Sequence, residues 1–374
     1  MICLSDHVAA SPLAAYTSGV FVIAEAGVNH NGSTELALEL VDVAAAAGAD
    51  AVKFQTFRAD SLAARSAKKA AYQQATTGAG ESQHAMLRAL ELSPQAHRQI
   101  VERCRQRGIR FMSSPFDIDS LQFLVDDIGV DLLKLGSGEI TNGPLLLAAA
   151  RSGKPLILSS GMATLGDIER ALAIVAWGLL NADGIPPESV WRATRIEPAA
   201  QAALAASVVL LHCTTEYPAP LEAVNLRAMA TLAKAFGIAT GYSDHTLGIN
   251  VSIGATALGA VAIEKHFTLD RQLPGPDHRA SLEPDELKRL VTAVREIEFA
   301  LGQPRKQVTA AEYPNRAVAR KSVVAATDIA AGEVFTTANL AIKRPGDGVD
   351  PCEIWRLLGT QSPRAYVADE LIDP

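Results

Sequence analysis

The sequence predicts an α/β fold: a (β/α)8 TIM barrel over residues 1–301, a linker at 302–320 and a small, mostly β domain at 321–374. Three observations predict it. Between residues 20 and 301 a short apolar run followed by a helical pattern recurs eight times. The runs are continuously apolar rather than alternating, as in parallel strands covered by helices. Polar residues gather where the runs end, and in a barrel those ends form one mouth that carries the chemistry. A doubly wound open sheet is the competing arrangement for the same rhythm.

The elements follow in order. The run at 20–24 ends in EAGVNHNGS, where Ser33 is placed to cap a helix through residue 47, with Glu35 in its first turn. The run at 50–57 carries Lys53 and Gln55. Residues 58–83 are polar, rich in small side chains and aperiodic, and read as a long mobile loop over the mouth. Ser93 and Pro94 open a helix that ends near Gly108. A strand at 109–112 leads to Ser114, and a helix follows to about residue 128. A strand at 130–135 carries Lys134 and leads to GSGE at 136–139, then to a helix at 144–151. A strand at 155–158 ends in SSG, and a helix spans 165–180. Residues 181–206, with Pro186, Pro187 and the stretch from Arg192 to Pro198, interrupt the rhythm as an insertion. A strand at 208–211 leads to HCTTEYP, and a helix spans 225–236. The last two runs, 237–242 and 257–263, flank a helix at about 249–258 and lead to His245 and His266. A polar loop at 268–282 holds Asp277, and Pro284 starts the final helix. Beyond residue 321, strand-like runs near 322–325 and 340–342 alternate with turn signals. About fifty such residues bury little core alone, so this unit is expected to dock on something.

Composition narrows the function. The chain is 48% hydrophobic and 20% charged, with net charge −7 and pI near 5.7. That supports a large core and argues against nucleic acid and membrane as partners. Cys3, Cys104, Cys213 and Cys352 have no paired spacing, so neither a disulfide framework nor a thiolate zinc site is indicated, and Cys213 reads as a small buried filler. The first nineteen residues lack a signal-peptide pattern and no apolar stretch is long enough to span a bilayer, so a cytoplasmic protein is expected.

The chemistry sits at the predicted strand ends. His245 and His266 can share one divalent metal if their strands are neighbours, and Ser243, Asp244, Lys265 and Asp277 extend a polar cluster there. Two rather apolar strands each contain a lysine, Lys53 and Lys134. With Ser114, Ser137, Ser159 and Ser243 they suit a phosphate or carboxylate. Any one serine alone would serve as a helix cap. Glu139 and Asp277 are candidates for proton transfer, and Glu25 ends a buried strand beside Gly27. Lys134 or Lys53 could instead form a Schiff base in a metal-free aldolase, which borohydride trapping with pyruvate would reveal. A third reading takes the C-terminal unit as a surface- or ice-binding module on an inert barrel.

Taken together, IAEAGVNH at 23–30, VKFQT at 52–56, SSPF at 113–116, KLGSGE at 134–139, LSSGM at 158–162 and LHCTTEYP at 211–218 resemble the sialic acid synthase family of phosphoenolpyruvate-dependent nonulosonic acid synthases. YSDH at 242–245, EKHF at 264–267, GPDH at 275–278 and KRPG at 343–346 extend the likeness in order along the chain. The resemblance implies a barrel with a C-terminal antifreeze-like (SAF) domain, in a homodimer whose SAF domain caps the partner's barrel. It implies condensation of phosphoenolpyruvate with an acetamido hexose, typically N-acetylmannosamine, to give a sialic acid and phosphate. A 2,4-diacetamido-trideoxyhexose leading to legionaminic or pseudaminic acid is the alternative. It implies His245 and His266 as ligands of manganese or magnesium. Lys134, Ser114, Ser137, Ser159 and Ser243 would contact phosphoenolpyruvate, and Glu139, Asp277 and Glu25 would be catalytic. Lys53, Gln55, Tyr217 and Arg344 would lie on the sugar side, Arg344 from the partner. Thr215 stands where some members have asparagine and Val318 where some have an aromatic residue, so the sugar stays open.

Overall fold

The computed structural model describes residues 11–78, 80–187, 189–190 and 197–374; Cys3 and Arg192 lie outside the described residues. The chain divides into two compact units, Met1–Gln303 and Pro304–Pro374.

The first unit contains eight strands: β1 (Phe21–Gly27), β2 (Ala51–Thr56), β3 (Arg110–Pro115), β4 (Leu133–Leu135), β5 (Leu156–Ser159), β6 (Val208–Cys213), β7 (Ala239–Asp244) and β8 (Ala262–His266). Their order is β3-β2-β1-β8-β7-β6-β5-β4, and the ladders joining them are parallel. Pairing of β1 with β8 curls the sheet into a near-closed barrel and sets the doubly wound alternative aside. The strands are apolar on both faces because each face has its own core. Phe21, Ile23, Ala51, Met112, Leu132, Ile157, Val209, Leu211 and Ala262 pack inside the barrel, where Leu13 joins them. Val22, Ala24, Val52, Phe111, Leu133, Leu158 and Leu210 pack outward under the helices.

Helix boundaries follow local chemistry. The Ser33 hydroxyl accepts from the Leu36 N–H, and the helix Thr34–Ala47 ends at Gly48 in the left-handed conformation. Ser93 and Gly108 do the same for Pro94–Arg107. The expected loop at 58–83 is corrected: it holds the short helices Ala59–Leu62 and Ala71–Thr77 and reaches the start of Gln83–Ala89. Such short helices lack a periodic apolar face and owe their stability to tertiary contacts that the sequence does not announce. One is the buried Lys69 ammonium, which binds Thr77 Oγ1 at 2.9 Å, the Gly78 carbonyl at 3.1 Å and Glu81 at 2.9 Å. The end of the interruption at 181–206 is also helical: Pro198–Ser207 leads directly into β6.

In the second unit β9 (Ser322–Ala325) pairs antiparallel with β10 (Leu340–Lys343) over a core of Val323, Ile329, Phe335, Tyr366 and Ile372. The stretch expected as a linker carries a short helix, Asn315–Ala319.

Candidate active site

Side chains alternate along a strand, so residues two apart share a face. Phe21 and Ile23 point into the barrel, and Glu25 continues that row. By the same parity Lys53 follows Ala51, Ser114 follows Met112, Lys134 follows Leu132, Ser159 follows Ile157, Cys213 follows Leu211 and Glu264 follows Ala262. The barrel interior is therefore apolar at one end and a polar layer at the C-terminal strand ends.

Charge in that layer is paired. Lys53 forms an ion pair with Glu25, donates to Ser114 Oγ at 3.2 Å and lies 3.6 Å from Glu264. Lys134 lies 3.4 Å from the other Glu264 oxygen and donates to the Leu135 carbonyl at 3.2 Å. Ser243 Oγ donates to Glu264 at 2.8 Å. Glu264, which sequence reading passed over, thus bridges both lysines. Its signal was parity: it precedes His266 by two on a buried strand. Burial opposes ionisation of Glu264, but Lys134 and Lys53 outweigh it and hold its carboxyl down at about 2. Glu25 is pushed up to about 7 by burial, Lys53 pulling it down and Glu264 adding to the rise. Burial works against the charge of Lys53, yet the carboxylates of Glu25 and Glu264 raise its pKa overall. Lys134, with one carboxylate within reach, is lowered by burial.

Sequence reading placed Lys265 and Asp244 in this cluster, and the structure corrects that. They have the opposite parity and form their own buried pair at 3.0 Å, with Asp244 also taking Ser252 Oγ at 2.6 Å and Thr246 Oγ1 at 2.7 Å. That pair secures the strand ends from outside.

His245 and His266 do meet, with ring centroids 5.7 Å apart. His245 Nδ1–H donates to the Thr214 carbonyl at 2.6 Å, which leaves Nε2 as the ligating nitrogen. His266 Nδ1 is buried without a hydrogen-bond partner. Burial lowers His245 to about 4 and His266 well below its ordinary value, His245 adding to the latter, so both rings are neutral near pH 7. Two neutral, neighbouring imidazoles, one with Nε2 only 3.4 Å from the Ser243 hydroxyl and the other with an unpartnered Nδ1, fit a divalent cation. Among the described residues no group of three or more His, Cys, Asp or Glu is arranged to hold a metal, so further positions would be open to water and substrate. Gly27, at φ 54°, lets the chain turn here: a Cβ would come 3.1 Å from Glu25 Oε1 and 3.4 Å from the His266 ring.

Beside the lysines lies a row of hydroxyls. The Gly161 N–H donates to Ser137 Oγ at 3.0 Å, and Cys213 Sγ is 3.1 Å from the same oxygen. A Cβ on Gly161 would lie 2.2 Å from Thr215 Oγ1 and 2.8 Å from Ser137 Oγ, so only glycine fits beneath them. Ser159 Oγ and Thr215 Oγ1 are buried with no hydrogen-bond partner. A buried hydroxyl without a partner is costly, and a bound anion would satisfy both.

At the mouth, Tyr217 packs on His245 at 4.2 Å and edge-on against His266 at 5.6 Å. Burial, with Asp277 nearby, keeps its phenol well above the ordinary value, and burial alone lifts Asp277 to about 6. Burial also raises Glu139, whose carboxylate accepts from Asn142 Nδ2 at 2.7 Å. Gln55 is half-buried on β2 beside Ser114 of β3. Arg344 belongs to the second unit, where its Nε donates to the Ala319 carbonyl at 3.2 Å.

Fold and site define a TIM-barrel enzyme whose C-terminal strand ends hold a buried lysine–glutamate cluster beside two histidines. The NeuB family matches residues 40–306 and the SAF domain matches residues 320–374. The chain belongs to the NeuB family, and is a phosphoenolpyruvate-dependent carbon–carbon condensing enzyme of the nonulosonic acid synthase type. It is 45% identical over 351 residues to the N,N'-diacetyllegionaminic acid synthase of Campylobacter jejuni subsp. jejuni serotype O:2, covering 94% of this chain and 98% of that one. It is 44% identical to the enzyme of the same name from Legionella pneumophila, covering 91% and 90%. The crystal structure of an N-acetylneuraminic acid synthetase from Leptospira borgpetersenii, in complex with citrate, superposes with a TM-score of 0.64 at 34% identity, over 79% of this chain and 90% of that one. No described helix is long and apolar enough to cross a membrane.

Proposed function

We propose that this chain condenses phosphoenolpyruvate with a 2,4-diacetamido-trideoxyhexose, giving N,N'-diacetyllegionaminic acid and inorganic phosphate. The observation that carries the choice of sugar is the identity gap. Two relatives named for that product stand at 45% and 44%, against 34% for the structure named for N-acetylneuraminic acid. N-acetylmannosamine, the acceptor expected first from the resemblance, becomes the second reading.

The reaction divides among the residues as follows. Lys134, with hydroxyls from Ser114, Ser137, Ser159 and Ser243, holds the phosphate and carboxylate of phosphoenolpyruvate, while Lys53, on the sugar side by the resemblance, is ion-paired with Glu25 and donates to Ser114. Tyr217 and Gln55 line the acceptor side, and Arg344 of a second copy closes it in a homodimer. A manganese or magnesium ion held by His245 and His266 would supply Lewis-acid polarisation of the acceptor carbonyl. The enol carbon attacks the aldehyde carbon and forms the new carbon–carbon bond. Glu25, part-protonated near pH 7, gives the proton to the nascent hydroxyl. Water adds to the resulting oxocarbenium carbon and Glu139 takes one of its protons. The tetrahedral intermediate then collapses to the 2-keto group as its carbon–oxygen bond to phosphate breaks, the remaining hydroxyl proton leaving with the phosphate. Asp277, titrating near 6, is ionised at working pH and accepts from the acceptor's hydroxyls.

The test is phosphate release from phosphoenolpyruvate with manganese over a panel of acetamido hexoses, with product mass recorded. Release is expected with the diacetamido-trideoxyhexose at a kcat/KM well above that for N-acetylmannosamine. The reverse order would overturn the choice of sugar, and no release with any acceptor would overturn the condensation itself.

A further inference from the structure

The helix Ala71–Thr77 is tied to the mouth of the barrel at two points. The Tyr72 ring lies 5.0 Å from the Tyr217 ring, and Thr76 Oγ1, which donates within its own helix to the Tyr72 carbonyl at 3.1 Å, also lies 3.4 Å from the Pro276 carbonyl, next to Asp277. Tyr217 in turn packs on both histidines. A line therefore runs from the histidines, where the acceptor carbonyl is polarised, through Tyr217 to Tyr72. With carbon–carbon bonds of about 1.5 Å, an extended six-carbon chain spans roughly 6–7 Å. The ring separations of 4.2 and 5.0 Å put Tyr72 at most about 9 Å from His245, so the far end of such a chain, at a van der Waals contact distance of about 4 Å, can touch Tyr72 when its aldehyde lies at the histidines.

The surroundings of Tyr72 specify what that end can be. Residues 70–77 read AAYQQATT and contain no cation. The neighbouring Lys69 has its ammonium committed to Thr77, Gly78 and Glu81. The charged groups acting on the Tyr72 phenol are the carboxylates of Asp277 and Glu216, which together with burial raise its pKa. Paired aromatic faces favour C–H and methyl groups, and the Asp277 and Glu216 carboxylates of the same copy repel an anion at Tyr72 itself, Arg344 of the second copy being the one cation the proposed dimer brings to the acceptor side.

We infer that Tyr72 is a specificity-determining residue of the acceptor subsite, forming with Tyr217 an aromatic wall that takes an uncharged, deoxygenated distal end and rejects a sugar 6-phosphate. This rests on the proposed condensation but not on which unphosphorylated sugar is preferred.

Full-length wild type, Tyr72→Phe and Tyr72→Ala are compared by steady-state kinetics with the diacetamido-trideoxyhexose, N-acetylmannosamine and N-acetylmannosamine 6-phosphate, with circular dichroism confirming equal folding. Wild type is expected to discriminate strongly against the 6-phosphate. Tyr72→Ala is expected to raise KM for the trideoxy acceptor about ten-fold, leave KM for phosphoenolpyruvate within about two-fold and narrow the discrimination, while Tyr72→Phe behaves as wild type. An equal loss with every acceptor, a raised KM for phosphoenolpyruvate, or ready use of the 6-phosphate by wild type would overturn it. If wild type prefers N-acetylmannosamine, the sugar assignment falls. The response of that acceptor's KM to Tyr72→Ala and the rejection of the 6-phosphate then decide the role of Tyr72.

Discussion

Glu264→Gln removes one charge from the centre of the site and leaves its shape nearly unchanged. Glu264 lies 3.4 Å from the Lys134 ammonium and 3.6 Å from that of Lys53, all three nearly fully buried. At an effective dielectric near 20, each contact corresponds to about 5 kcal/mol of Coulomb attraction before desolvation is subtracted. Lys53 keeps Glu25 after the substitution, but Lys134 loses its one ion-pair partner among the described residues. Breaking a buried pair from one side costs about 3–5 kcal/mol, a large part of a typical total stability of about 5–15 kcal/mol. The sign with pH follows from the depressed carboxyl. A group held at about 2 in the fold contributes stability that is complete above its unfolded value of 4.5 and is lost as pH falls toward 2. Urea unfolding should therefore show Glu264→Gln less stable by about 3–5 kcal/mol at neutral pH. One unit below the unfolded value the gap should be narrower by about 1.4 kcal/mol. Glu264→Asp, which keeps the charge, should lose less. A gap under about 1 kcal/mol at neutral pH, or one that does not move with acidification, would refute the electrostatic account of this network.

Three further outcomes are expected. Manganese should raise the thermal midpoint of chelator-treated protein, and His245→Ala and His266→Ala should abolish both that shift and turnover. A shift that survives in both variants would place the metal elsewhere. The pH profile of kcat/KM should rise through a limb near 6 that disappears in Asp277→Asn, because burial holds that carboxyl above its ordinary value and the ionised form is the working one. Inactive Arg344→Ala and inactive His245→Ala chains, mixed after dissociation, should recover about a quarter of wild-type activity. Half the reassorted dimers would carry one intact site of two, and no recovery would refute a shared site.

The sequence by itself determined the parts whose cause is local. Eight two-faced apolar runs, Ser33 and Ser93 as caps, Gly48 and Gly108 as stops, and polar residues at strand ends were all legible, because burial and capping act within a few residues. So were His245 and His266 as a pair, given neighbouring strands. The tertiary structure alone decided who pairs with whom. Lys265 reads like a member of the site, yet strand parity turns it outward to Asp244. Glu264 reads as one acid in a motif, yet it stands between two lysines more than a hundred residues away. Tyr72 lies in a stretch without periodicity, and its place follows from a ring contact with Tyr217 across the mouth. The physical reason is the same in each case. Strand parity and loop closure convert sequence into direction and distance only after the barrel has closed, and electrostatics and ring packing depend on both.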